Sequence, residues 1–222
     1  MEKDQKTKKT KASDAKKNKI VEAYIEYILT HGKEPNSVFI FAKEQKMKEE
    51  QFYDYFNSFS ALEKGIWSSF FEETKAGLEA DETYHDYSVR EKLLAFYYTW
   101  IEVLKANRSY VKHSFHKVKK LERPPSFLKD FKDEFIAYTK ELIMEGNASQ
   151  EIVKRPYISD RYAEGLWLQL LFVLRFWLKD DSQAFEKTDA AIEKAVNLSL
   201  DLMGRGPVDT MIDFAKFLYH NR

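Results

Sequence analysis

Apolar residues along this chain recur every three or four positions, the spacing of a buried helix face. No stretch of convincing length alternates with the period of two that marks a strand. Ile20, Ala23, Tyr24, Tyr27 and Ile28 predict a first helix over 20–30, with Gly32 placed to end it. Pro35-Asn36-Ser37 restarts the chain, and either Asn36 or Ser37 can cap the helix whose inner face is Val38, Phe41 and Ala42. A polar patch over 45–49 follows, and then a second short helix in which Phe52, Tyr53, Tyr55 and Phe56 are too many rings for a surface segment. Two short helices joined by a tight turn make a helix-turn-helix, whose second helix can enter a DNA major groove.

A longer helix is expected over 60–79, with Ala61, Leu62, Ile66, Trp67, Phe70 and Phe71 inward, and further helices over 89–106 and 108–123. Pro124-Pro125 breaks the pattern; helices over 127–144, 160–179, 181–203 and 207–220 come next, with Pro156 in the one long connection. Asp180 or Asp181 is placed to cap the helix over 181–203. The 160–179 helix is apolar nearly all round from Leu166, so it is expected to be buried on more than one side. Its successor carries small residues (Ala184, Ala191, Ala195) on one face, which lets a second helix approach closely. The chain is read as all-α: an arm over 1–19, a three-helix head over 20–80 and a larger helical bundle over 81–222.

Composition narrows the function. Hydrophobic residues make up 44% and charged residues 32%, ordinary for a chain that buries a core. Lys+Arg and Asp+Glu both total 36, so any attraction to nucleic acid must come from how the charge is distributed. Residues 1–19 hold eight lysines against Glu2, Asp4 and Asp14. With nothing apolar to bury, they are expected to form a mobile arm, either a solubilising tail or a reach towards DNA phosphates. The absence of cysteine removes disulfides and thiolate chemistry and fits a cytoplasmic protein. The longest apolar run, 166–178, is interrupted by Gln169 and Arg175 and is shorter than the roughly 18–20 residues that span a bilayer, so no stable membrane insertion is expected.

Catalytic patterns are missing. His113 and His116 have a metal-compatible spacing, but Lys112, Lys117, Lys119 and Lys120 surround them and would repel a cation. There is no phosphate-cradling glycine loop, nucleophile elbow or carboxylate pair, so neither an enzyme nor a cofactor is expected. The ring-rich large domain is read as core packing, with an apolar ligand pocket as the functional option. The candidates for that pocket are Tyr97, Trp100, Trp167, Phe172 and Phe176, with Gln169 and Arg175 as polar anchors.

Between Ile20 and Leu62 the positions Ile20, Ala23, Gly32, Asn36-Ser37-Val38, Ala42, Phe52-Tyr53, Tyr55-Phe56, Ser58 and Leu62 together resemble the DNA-binding head of TetR-type (TetR/AcrR) bacterial regulators. The resemblance implies a homodimeric, ligand-responsive repressor that binds double-stranded DNA at a palindromic operator. It implies that Ser37, Lys43, Lys48, Gln51, Tyr53 and Tyr55 lie near the DNA, and that the 160–179 and 181–203 helices of each subunit form a four-helix dimer interface. This chain departs from the family pattern in its turn, where Lys46-Met47-Lys48 replaces Gly-hydrophobic-Ser. It departs again in the recognition helix, which carries Glu49, Glu50 and Asp54, and at Phe59, where a phosphate-contacting lysine is usual. A second, fainter likeness joins Asp180, Ser182, Phe185 and Thr188 to the lipid-binding protein of ubiquinone biosynthesis that shares the TetR fold. It implies the alternative of a lipid- or hydrophobic-ligand-binding protein without DNA binding, whose amphipathic last helix would suit a membrane surface.

Overall fold

The computed structural model describes the backbone of residues 2–116, 125–155 and 158–221, and their side chains apart from those of residues 2–12, 207–208 and 212–213. Lys117, Lys119, Lys120, Pro124 and Pro156 lie outside the described residues. Among these residues the chain forms α-helices and no strand. In order they are α1 (Glu2–His31), α2 (Val38–Glu44), α3 (Glu49–Tyr53), α4 (Phe59–Glu79), α5 (Val89–Ala106), α6 (Arg108–His116), α7 (Lys129–Ala148), α8 (Tyr162–Lys179), α9 (Glu186–Met203) and α10 (Pro207–His220).

The largest difference from the sequence reading is at the start. α1 begins at Glu2 and absorbs the stretch expected to be an unstructured arm. Residues 2–19 contain no glycine or proline and are mostly straight-chain residues and alanine, which lose little freedom in a helix. A helix already nucleated by the buried turns after Ile20 can therefore extend backwards without burying a face of its own.

The chain divides into two compact units, each built from two stretches: 1–69 with 104–131, and 70–103 with 132–222. The expected boundary near residue 80 misses this because α4 runs unbroken through both units and α6 returns to pack on α1. In the first unit, Ile20, Tyr24, Tyr27 and Ile28 of α1 meet Phe41 of α2, Phe52 of α3 and Leu62 and Ile66 of α4, all buried. Gly32, at φ +68, closes α1 by donating its N–H to the Ile28 carbonyl at 2.8 Å. Trp67 is fully buried between Phe115, Phe127 and Phe131, with ring centroids 5.6–6.2 Å away.

The second unit packs α5, α7, α8 and α9 around Phe96, Tyr97, Trp100, Phe135, Trp167 and Trp177, each 0–1% exposed. Phe96 stacks on Tyr138 at 4.9 Å and Phe135 leans on Trp167 at 6.1 Å. Gly146 lies inside α7 and does not end it; a Cβ there would stand 2.7 Å from the Ile152 side chain, so the glycine is what lets the following loop close onto the helix.

Candidate nucleic-acid interface

Ser37 sits in extended backbone and caps α2, its Oγ accepting the Ile40 N–H at 3.2 Å. The turn that follows places Lys46 in the left-handed region, φ +54, so that the Met47 N–H can reach the Ala42 carbonyl at 2.9 Å. α3 is then anchored from below by the buried Phe52 and Phe56. Its polar groups are engaged with one another. The Lys48 N–H donates to Gln51 Oε1 at 2.9 Å, Lys48 Nζ pairs with Glu50 at 3.2 Å, and the Tyr53 hydroxyl donates to Glu49 at 3.4 Å.

Of the residues expected near DNA, Ser37, Lys43, Lys48, Gln51 and Tyr53 are exposed and Tyr55 is half-buried. Gln51 and Tyr55 are brought together in a cleft of about 350 Å³ between α3 and α1, along with Gln45, Asp54, Lys16 and Lys19. Ser37 and Lys43 do not line it. The sequence reading counted Lys16 and Lys19 only among the eight lysines of the 1–19 arm and did not place them beside Gln51, which takes the packing of α1 against α3.

The residues expected to share a ligand pocket do not form one constellation. Tyr97, Trp100 and Trp167 are 0–1% exposed inside the second unit, and the Tyr97 hydroxyl donates to the Leu166 carbonyl at 3.5 Å. Phe172 and Phe176 project from the opposite side of α8, 55% and 36% exposed, with Arg175 exposed beside them. Gln169 accepts a hydrogen bond from the Ser199 hydroxyl across to α9. Phe172, Phe176 and Gln169 line instead an open groove of about 620 Å³ with Ala191, Ala195 and Leu198 of α9. The expectation was that this helix is buried on more than one side; within this chain one face of α8 is buried, and the 3.6-residue period puts Trp167, Leu170, Leu174 and Trp177 inward and Leu168, Phe172 and Phe176 outward.

Two buried polar centres fix the ends of the α8–α9 pair. At the turn between them the Asp180 carboxylate accepts the N–H and hydroxyl of Ser182 at 2.9 and 2.6 Å, and those of Thr188 at 2.9 and 2.6 Å. Burial pushes this carboxyl up, but the hydroxyl and N–H donors outweigh it and hold it well below the usual carboxylate range. α9 starts at Glu186, so Asp180 caps it from six residues upstream, after Ala184 and Phe185 take left-handed backbone. Asp180, Ser182 and Thr188, which carry the likeness to the ubiquinone-pathway protein, thus form a helix-capping turn in this chain. At the other end Arg155, 5% exposed, grips Asp209 through two bonds of 2.7 and 2.9 Å. It also donates to the Tyr162 hydroxyl and to the carbonyls of Leu202, Met203 and Gly204. Its hydrogen bonds, with that of the Gly206 N–H, hold the Asp209 carboxyl down at about 2. α10 leaves this root with Met211, Phe214 and Leu218 exposed. Among the described residues no helix is long and apolar enough to cross a membrane, and no group of three His, Asp or Glu is placed to hold a metal.

A family model described as the tetracyclin repressor-like C-terminal domain matches residues 92–218, more than half of the chain. The chain belongs to the TetR family. Solved structures share its fold: a protein of unknown function from Rhodococcus sp. RHA1 (13% identity, TM-score 0.55), a protein from Shewanella sp. PV-4 assigned to the tetR family of transcription regulators (16%, 0.58), and a bacterial regulatory protein in the tetR family from Rhodococcus RHA1 (16%, 0.52). Each alignment covers 86% of this chain and 96–99% of the other. No curated protein matches the chain.

The structure gives the departures from the TetR pattern a physical meaning. Lys46 stands where TetR-type turns carry glycine and adopts the left-handed backbone that favours glycine. Phe59, at the position of the usual lysine, is buried against Tyr24, Phe41 and Phe52 with centroids 5.3, 5.7 and 5.4 Å away.

Proposed function

We propose that this TetR-family chain is a homodimeric transcription regulator, a repressor that binds a palindromic DNA site through α2 and α3. The observation that carries the reading is the preserved helix-turn-helix: a Ser37-capped α2, a tight turn and an α3 anchored by Phe52 and Phe56, with Lys43, Lys48, Gln51 and Tyr53 left at the surface. Dimerisation is assigned to the outer faces of α8 and α9, where Leu168, Phe172 and Leu198 are 55–66% exposed beside small alanines. An apolar face of this kind on a soluble chain marks a contact surface. The dimer would set two recognition helices about one DNA turn apart, roughly 34–36 Å. An apolar ligand would regulate only by binding the two head spacings unequally.

The test is fluorescence anisotropy of the full chain on the DNA around its own gene. The expected result is sequence-specific binding that weakens steeply as salt rises; absent or salt-insensitive binding refutes the reading. A second reading, a hydrophobic-ligand-binding protein without DNA binding, is favoured by the mutual engagement of the α3 polar groups. It predicts that organic extraction of the purified protein releases a lipid-like molecule and that no duplex is bound.

A further inference from the structure

Phosphate attraction supplies most non-specific affinity for DNA, and the recognition helix of this protein is badly placed to provide it. From Lys48 to Asp54 there is one lysine against Glu49, Glu50 and Asp54, and that lysine is paired with Glu50. The lysine usual at the start of α4 is Phe59, which is inside the core. A head of this kind needs its cations from elsewhere.

Resting on the DNA-binding reading above, we infer that Lys16, Lys17 and Lys19 of α1 form a phosphate-binding shelf along the flank of α3. Lys16 and Lys19 stand on one side of the 350 Å³ cleft whose other side is Gln51, Asp54 and Tyr55 of the recognition segment. Lys17, between them in sequence, lies with its ammonium 5.9 Å from the ring of Phe56, which fixes this part of α1 against the head. All three lysines are exposed, and neither Lys16 nor Lys19 makes an ion pair among the described residues. Among the described residues Asp54 is the single carboxylate lining the cleft, so the two lysines there outnumber it. The remaining polar groups at the cleft, Gln45, Gln51 and the Tyr55 hydroxyl, can all donate to a phosphate oxygen.

Upstream of these lysines the backbone continues as helix to Glu2. From Ile20 back to Glu2, α1 rises about 27 Å at about 1.5 Å per residue, and residues 1–19 carry a balance of +5. Lys16, Lys17 and Lys19, already carried on a helix beside the recognition element, give up less freedom on binding than the same residues in a disordered tail would. Contacts to phosphate carry no sequence information, so the shelf supplies attraction and leaves discrimination to Gln51 and its neighbours.

The experiment compares the full chain with Lys16→Gln/Lys19→Gln, with Lys16→Arg/Lys19→Arg, and with a control, Lys140→Gln/Lys154→Gln, of equal net charge change at exposed positions in the other unit. The probe is a labelled random-sequence duplex of about two helical turns, titrated across roughly 50–200 mM salt. The glutamine pair is expected to flatten the slope of log affinity against log salt by about 0.9 per lost contact, about 1.8 per bound subunit, so that its loss of affinity is about tenfold larger at 50 mM than at 200 mM salt. The arginine pair should keep the wild-type slope, and the control should match wild type. A wild-type slope in the glutamine pair, or an equal loss in the control, overturns the shelf and leaves the DNA-binding reading standing. A wild-type chain that binds no duplex at all overturns both.

Discussion

Returning a lysine to position 59 tests the account of the head directly. Phe59 is 7% exposed and touches three rings, so its truncation to alanine falls in the class that costs about 3–5 kcal/mol. Lysine is less severe, because its four-carbon stem can lie over the same apolar surface while the ammonium reaches water. If the stem recovers roughly half of the buried area at about 25 cal/mol per Å², Phe59→Lys destabilises the head by about 2 kcal/mol. With a urea dependence of about 1–3 kcal/mol per molar, the unfolding midpoint should fall by about 1 M. Hydrogen exchange at the α2 and α3 amides should speed up while α8 and α9 are unchanged, because those helices belong to the other unit. In the same variant the salt slope on duplex DNA should steepen by about 0.9 per subunit, as one phosphate contact is added. An unchanged midpoint would show that Phe59 is not a core ring. A lowered midpoint with an unchanged slope would show that position 59 does not face phosphate in this head.

Lys46→Gly relieves a left-handed backbone that costs an ordinary residue about 1–2 kcal/mol, against about 0.5–1 kcal/mol of lost glycine freedom. A net gain of about 0.5–1 kcal/mol should appear as a higher urea midpoint. Asp180 titrates below the ordinary carboxylate range in the folded chain and near 3.9, roughly, when unfolded. Its contribution is therefore complete above about pH 4 and is lost as the pH falls further. Asp180→Asn should be less stable than wild type at neutral pH, and the gap should narrow at acid pH in paired urea melts. Arg155→Lys keeps the charge but not the planar fork that holds Asp209 and the carbonyls of residues 202–204. Proteolysis in the 204–207 turn should accelerate with little change in helical circular dichroism.

What the sequence made legible follows the physics of each signal. α5 and α10 were read at their observed ends, because a strong 3.6-residue stripe and a Gly-Pro turn are local signals. The same holds for Gly32 and for the Ser37 cap. The start of α1 was not legible, because residues 2–19 carry no apolar stripe in which a period could show. Aromatic content could say that the large unit is full of rings. It could not say that Trp167 and Phe172, five residues apart, face opposite ways on α8. Asp180 was read as one of two caps for the next helix, but its reach to Thr188 depends on the left-handed backbone at Ala184 and Phe185, which no composition rule suggests. The cleft between α1 and α3 required tertiary placement.

On the proposed reading, base contact has to offset the engagement of the α3 polar groups with one another. Releasing the exposed Lys48–Glu50 pair costs about 0–1 kcal/mol, and freeing Gln51 from the Lys48 N–H costs about 0.5–1.5 kcal/mol before water replaces it. A well-formed bidentate contact from Gln51 to an adenine is worth about 1–3 kcal/mol of discrimination, enough to offset either loss. Glu49 and Glu50 repel phosphate wherever they meet it but can accept from a cytosine amine, so they penalise wrong sites more than correct ones. An acidic recognition helix is then a device that selects without attracting. It functions only beside a separate source of attraction, the part assigned to the lysines of α1, and the two are separable by experiment. Removing lysines should lower affinity evenly across sequences, whereas Glu50→Gln should raise affinity for all duplexes and narrow the gap between the best site and the rest.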